Sequence, residues 1–264
     1  MKNDVKKRSN RFIFFVLFCL ICSSLTIVSL FPTPFKSIPF TNATEEAHFI
    51  NIGVFPTASI SFDISNHLSS NFTNPLFIGD SLTAGRGASN YDNSFPIQMI
   101  HLLKVQNMQS ISIFGRSGYT ADYINNVIDI QKNAVNSDLI ILELGTNDIL
   151  DRQSGIDKVT HLVNFQQQYR LLVNNLRITA PQAPLLCLSL WWSSGEIAPS
   201  GLSVSQLNQI IENQCNAYKG KYVDLSTIFN DPSDHTGGID WFHPNNRGHS
   251  KIAEKIIQVL HNTE

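Results

Sequence analysis

A serine stands directly at the end of an apolar run, Leu76-Phe77-Ile78-Gly79-Asp80-Ser81, in a chain that also carries Asp240-Trp241-Phe242-His243-Pro244 far downstream. Serine is a poor nucleophile until a base removes its proton, and histidine is the usual acceptor near neutral pH. The base in turn works best when a carboxylate fixes its tautomer. Asp240, three residues before His243 in a tight loop, has the reach to bond the imidazole Nδ1. Nucleophilic chemistry at a carbonyl also needs N–H donors for the developing oxyanion. Two segments offer them: Phe114-Gly115-Arg116-Ser117-Gly118-Tyr119-Thr120, and Glu143-Leu144-Gly145-Thr146-Asn147-Asp148 with the Asn147 side-chain amide. Each piece also has a plain structural reading. Asp80 and Ser81 suit a turn after a strand, Thr120 a helix N-cap, Asn147 an Asx turn, and Asp-x-x-His an ordinary loop contact.

These segments recur at the ends of strand-like runs. Leu76–Gly79, Ser110–Phe114, Leu139–Leu144, Leu185–Trp191 and Tyr222–Leu225 are short and apolar throughout, as strands covered on both faces are. Helical patterns separate them: Ser94–Gln106, Thr120–Asn133, Ile156–Thr179 and Ser203–Tyr218, with a last helix from about Arg247 to His261. Strands each followed by a helix predict a three-layer α/β/α sandwich around a mostly parallel five-stranded sheet with right-handed crossovers. Ligands bind such sheets outside the carboxyl ends of the strands, where the motifs fall.

In order, Gly-Asp-Ser, Gly-x-x-Gly-x-Thr, Gly-Thr-Asn-Asp and Asp-x-x-His-Pro together resemble the SGNH (GDSL-type) serine esterase and lipase family, over residues 75–261. His243-Pro244-Asn245-Asn246-Arg247-Gly248-His249 is similar to that family's final block. The resemblance implies a flavodoxin-like fold with Ser81 as nucleophile, His243 as base and Asp240 as its orienter. It also implies an oxyanion hole made of the Ser81 and Gly118 backbone N–H groups and the Asn147 side chain. No metal and no cofactor is expected. The second block often begins with an Asn where this chain has Ile113, and the spacing to Thr120 selects Gly118 over Gly115 as donor.

The implied activity is hydrolysis of carboxylic esters, small O-acyl groups on glycans or lipid esters, through an acyl-serine intermediate. Two other functions compete: a surface-polymer O-acyltransferase using the same triad, and a catalytically inactive surface binding module. His235 and His249 are read as surface or helix-start residues, because no His/Asp/Glu cluster has metal-ligand spacing. Trp191 and Trp192 end the fourth strand beside the expected site, where they either line an acyl or sugar pocket or one of the pair packs in the core.

The N-terminus sets the expected location. Residues 1–11 form a basic tip, with Lys2, Lys6, Lys7, Arg8 and Arg11 against Asp4. Residues 12–31 carry no charge and are long enough to cross a ~30 Å hydrocarbon core as a helix. They are read as a transmembrane signal-anchor, with a cleaved signal peptide as the alternative; both put the catalytic domain outside the cytoplasm. Residues 32–74, with Pro32, Pro34, Pro39 and Pro56, read as a stalk with short strands around Phe49–Val54 and Ser59–Phe62, leading to the domain at 75–264. From Pro32 onward there are 14 Lys and Arg against 20 Asp and Glu, a net of −6, which argues against nucleic acid as a partner. The domain is expected to be a monomer. Cys187 and Cys215 are read as separate buried thiols, although an exported protein allows them to pair.

Overall fold

Two runs of the chain are apolar on every side, and they become the centre of the sheet. In the computed structural model, which describes residues 49–50, 72–103, 108–150, 157–192, 197–198, 200–229, 231–236 and 242–261, all five residues of β2 (Pro75–Gly79) and of β4 (Leu139–Glu143) are buried. They pair in parallel, Leu76 beside Ile140 and Ile78 beside Leu142. β3 (Ile111–Gly115) flanks β2, and β5 (Leu185–Leu188) and β6 (Lys221–Val223) extend the sheet beyond β4, all parallel. This is the expected five-stranded parallel sheet of an SGNH-type α/β/α fold. A sixth strand was only suggested by the sequence: β1 (Phe49–Ile50) pairs antiparallel with β3, giving the order β1-β3-β2-β4-β5-β6.

The order reverses direction at β2. The chain leaves β2 toward β3, then returns past β2 to β4. Right-handed crossovers therefore place the connecting helices on opposite faces of the sheet. α1 (Phe95–Leu103) packs on α7 (Asn246–His261) in one layer. α2 (Ala121–Val127), α3 (Ile130–Ala134), α5 (Lys158–Thr179) and α6 (Val204–Ala217) pack in series in the other. The crevice of a doubly wound sheet lies at such a reversal, so the turn after β2, which carries Ser81, stands where such sheets meet ligands.

Local chemistry explains the helix ends. Asp157 accepts from the N–H groups of Val159 and Thr160, and Ser203 with Gln206 forms a reciprocal capping box. Thr120 caps α2 as the sequence indicates, but the single helix read over Thr120–Asn133 is two helices. Ile128 turns extended and Asp129 caps a new start by accepting from the Lys132 N–H. A short helix, α4 (Thr146–Leu150), replaces the simple turn read after the third predicted strand.

The cysteines depart from expectation. Cys187 on β5 and Cys215 near the end of α6 form a disulfide, with Cα atoms 6.1 Å apart and both side chains fully buried. The reading as separate thiols fails because it treats strand and helix apart, whereas the crossover lays the end of α6 against β5. The turn closing this crossover needs a glycine: a Cβ on Gly220 would lie 2.6 Å from the Cys215 sulfur.

The basic tip, the apolar run and the second suggested stalk strand lie outside the described residues. Among the described residues, no helix is long and apolar enough to cross a membrane.

Candidate active site

Ser81 follows β2 at the reversal of strand order, and the turn after it is held from several sides. The Ala84 N–H donates to the Asp80 carbonyl and the Arg86 N–H to the Ser81 carbonyl, winding the segment into helical turns. Glycine is required at the strand end, because a Cβ on Gly79 would lie 2.0 Å from Thr83 Oγ1. Only 5% of Ser81 is exposed.

His243 arrives from the other end of the sequence. Its Nε2 lies 3.0 Å from Ser81 Oγ, within hydrogen-bonding distance. A short antiparallel bridge carries it: the Thr236 N–H donates to the His243 carbonyl, and His235 Nδ1 bonds the Phe242 carbonyl at 3.0 Å. Asn245 fastens the base of this bridge through Nδ2 to the carbonyls of Ser233 and His235. Asp234, with no exposed surface, ion-pairs with Arg247 and Lys251 of α7. Asp240 lies outside the described residues.

Asn147 is the second residue of α4. Its Nδ2 donates to Asp80 Oδ2 at 3.2 Å and to the Tyr119 carbonyl at 2.9 Å, which ties the ends of β2, β3 and β4 together. Gly118, next to Tyr119, has φ +90, and a Cβ built there meets nothing within 4 Å, so this turn faces open space. Glycine alone adopts that backbone without strain. The structure thus brings His243 to Ser81 and Asn147 to the neighbouring Asp80, with Gly118 on the adjoining turn.

Three residues matter more than their sequence reading suggested. Asp80 is fully buried, and burial raises its carboxyl to about 7 against hydrogen bonds from Leu82 and Ser81 that lower it. Glu143, at the end of β4, is raised well above the ordinary glutamate range by burial and then by repulsion from Asp80. It accepts from the N–H groups of Asp80 and Thr83 and from Thr83 Oγ1. A carboxylate closing an otherwise apolar strand is the signal that could have found it.

The third is His249, which sits in the first turn of α7 as expected but is buried rather than on the surface. Its Nδ1 accepts from the Phe95 N–H at 3.1 Å, so Nε2 carries the hydrogen and donates to the Arg86 carbonyl at 3.0 Å. It therefore ties α7 to both α1 and the nucleophile turn. Burial, followed by repulsion from His243, outweighs the Arg86 bond and pushes its imidazole down to about 4 from an ordinary 6.5. The unfolded chain takes up this proton as pH falls through 6.5, while the folded chain resists until about 4. The contribution is complete above pH 6.5 and erodes below it, a loss of about 3 kcal/mol by pH 4. Urea unfolding at pH 7 and pH 4 should show this loss, and His249→Phe should show a smaller pH dependence from a lower starting stability.

Trp191 and Trp192 are both buried, at 2% and 6% exposed, and both pack on Phe242, at ring distances of 5.2 and 5.0 Å. Trp191 also lies 6.5 Å from the His243 ring, so core packing and the wall behind His243 are one structure. The nucleophile turn meets the same loop at Gly87, where φ is +93 and a Cβ would lie 2.1 Å from the Pro244 carbonyl oxygen. Gly87→Ala should shift His243 away from Ser81 and lower kcat by about 10²-fold, with a smaller effect on KM. Steady-state kinetics on a nitrophenyl ester checks both.

Comparison with known proteins agrees with this architecture. The curated YpmR protein of Bacillus subtilis, itself described as uncharacterized, is 23% identical over 204 residues, covering 69% of this chain and 79% of YpmR. A catalytic variant of Axe2, an acetylxylan esterase from Geobacillus stearothermophilus, superposes with a TM-score of 0.56 at 17% identity, covering 71% of this chain and 94% of that one. An extracellular lipase from Streptomyces rimosus superposes with a TM-score of 0.53 at 15% identity, covering 71% and 99%. At such identities the likeness is one of fold. The family model of the GDSL-like lipases and acylhydrolases matches residues 77–251, from within β2 into α7, and so spans every residue brought together above. A match over that much of the chain makes this protein a member of the GDSL-like lipase/acylhydrolase family and a carboxylic ester hydrolase.

Proposed function

We infer that Ser81 attacks the ester carbonyl while His243 Nε2 takes its proton, giving an acyl-serine that water, activated by the same histidine, then hydrolyses. The observation that carries this reading is the 3.0 Å approach of His243 Nε2 to Ser81 Oγ across 162 residues of sequence. Asp240, three residues before His243, is the orienting carboxylate. The backbone N–H groups of Ser81 and Gly118 and the Asn147 amide receive the oxyanion, Gly118 from a turn open to solvent. The chain's own groups supply acid, base and oxyanion donors, and the reaction is written without a cofactor or metal.

The substrate class we favour is a small O-acyl group on a glycan. Axe2 supports it, as does a second structural relative described as an acetyl xylan esterase, AlAXEase, with a TM-score of 0.52 at 21% identity. Lipid esters are the competing class, supported by the Streptomyces lipase. The domain works as a monomer outside the cytoplasm, held at the membrane by residues 12–31. The uncharged run there and a disulfide, which persists in oxidising compartments, support that placement. Release of nitrophenol from acetyl, butyryl and octanoyl esters, beside deacetylation of acetylated xylooligosaccharides, tests the reading. A steep preference for acetyl supports glycan deacylation; a preference for octanoyl assigns the lipid class. A serine-directed fluorophosphonate should label the Ser81 peptide, and labelling elsewhere would remove Ser81 from the mechanism.

A further inference from the structure

Asp80 makes more bonds than a turn needs. An aspartate after a strand commonly accepts from the backbone two residues on, and Asp80 Oδ1 does so from the Leu82 N–H at 3.1 Å. The same oxygen lies 3.3 Å from Ser81 Oγ. The second oxygen, Oδ2, is turned to another strand end and accepts from Asn147 Nδ2 at 3.2 Å. The side chain has no exposed surface, so water cannot replace any of these bonds. Burying a carboxyl is costly, and burying one beside a second, Glu143, costs more. A neutral asparagine or serine would close the turn at less cost.

The Asn147 amide has two hydrogens, and two acceptors from different strand ends fix its plane: Asp80 Oδ2 after β2 and the Tyr119 carbonyl after β3. Without Asp80 only the Tyr119 bond would remain, and the amide could swing about it. Glu143 braces Asp80 from the neighbouring strand by accepting from the Asp80 and Thr83 N–H groups. Building on the reading of Ser81 and Asn147 given above, we propose that Asp80 is a positioning residue that orients the Asn147 amide toward the oxyanion while touching the nucleophile itself. The nucleophile and one oxyanion donor are then set by a single buried group. The longer of the two amide bonds, to Asp80, is the one shared with the oxyanion as it forms.

A double-mutant cycle on the full-length protein tests this, with Asp80→Asn, Asn147→Ala and their combination. Asp80→Asn should lower kcat by about 10–100-fold, as for a misplaced catalytic group, and leave KM within about twofold. In the Asn147→Ala background the same change should cost less than about threefold, because no amide remains to orient. An equal factor in both backgrounds, or a loss carried mainly by KM, overturns the proposal. If Asp80→Asn does not fold, the wild-type protein still decides. The two Asn147 Nδ2 proton signals, assigned by their absence in Asn147→Ala, should exchange slowly with solvent, and exchange at the rate of a free amide overturns it. Ser81→Ala separates the two levels. If that variant stays active, the reading of the site fails; if it is inert while the cycle is additive, only the role of Asp80 fails.

Discussion

Ser81→Ala should lower kcat for a nitrophenyl ester by a factor on the order of 10⁴–10⁶ without changing the thermal midpoint by more than a degree or two. The loss is large because, on the proposed mechanism, the acyl intermediate forms on the Ser81 hydroxyl; the oxyanion donors alone retain only a residual acceleration over water. The fold should not notice. The hydroxyl contributes one 3.0 Å bond to His243 and one 3.3 Å bond to Asp80, and alanine fits the same helical turn. His243→Ala should cost a similar factor, and the double variant little more than either alone, since nucleophile and base act as one unit. Two single losses that multiply in the double variant would show that the residues work in separate steps. Circular dichroism on each variant separates a chemical loss from a folding one.

Removing the disulfide should produce the largest change in stability. Cys187 and Cys215 are 28 residues apart. The entropy of closing such a loop in the unfolded chain is worth roughly 3–4 kcal/mol. Cys187→Ala/Cys215→Ala should therefore lower the thermal midpoint by about 10 °C for a domain of this size. Activity at 25 °C should be nearly intact, because the bridge joins β5 to α6, whereas the Ser81 hydroxyl bonds His243 and Asp80. An unchanged midpoint would mean that the two sulfurs are not bonded in the purified protein. Non-reducing peptide mapping then gives the state directly.

Ser81 and Asn147 were legible because each follows a strand whose apolar run is clear, and parallel-sheet topology puts those ends on one edge. His243 was legible because it stands with Asp240 and Pro244 just before the last helical pattern. What escaped reading depends on contacts between elements. The pairing of Cys187 with Cys215 follows from how one crossover folds back, and no local pattern encodes it. The break between α2 and α3 rests on one side chain, Asp129, that competes for a backbone N–H within an otherwise helical stretch. His249 looked like a surface helix-start residue because its partners, Phe95 and Arg86, are more than 150 positions away. Asp80 and Glu143 were visible as carboxyls, but only the register of β2 against β4 puts them side by side.

The reach of α7 back to the first half of the domain has a consequence for timing. The helix supplies His249 to the nucleophile turn and packs on α1, and the loop before it delivers His243. A ribosome adding 5–20 residues per second needs roughly 8–30 s to travel from Ser81 to His243. During that interval the turn around Ser81 lacks the brace that His249 gives it. On the proposed reading of Ser81 and His243, esterase activity therefore begins only when α7 has been made and has docked.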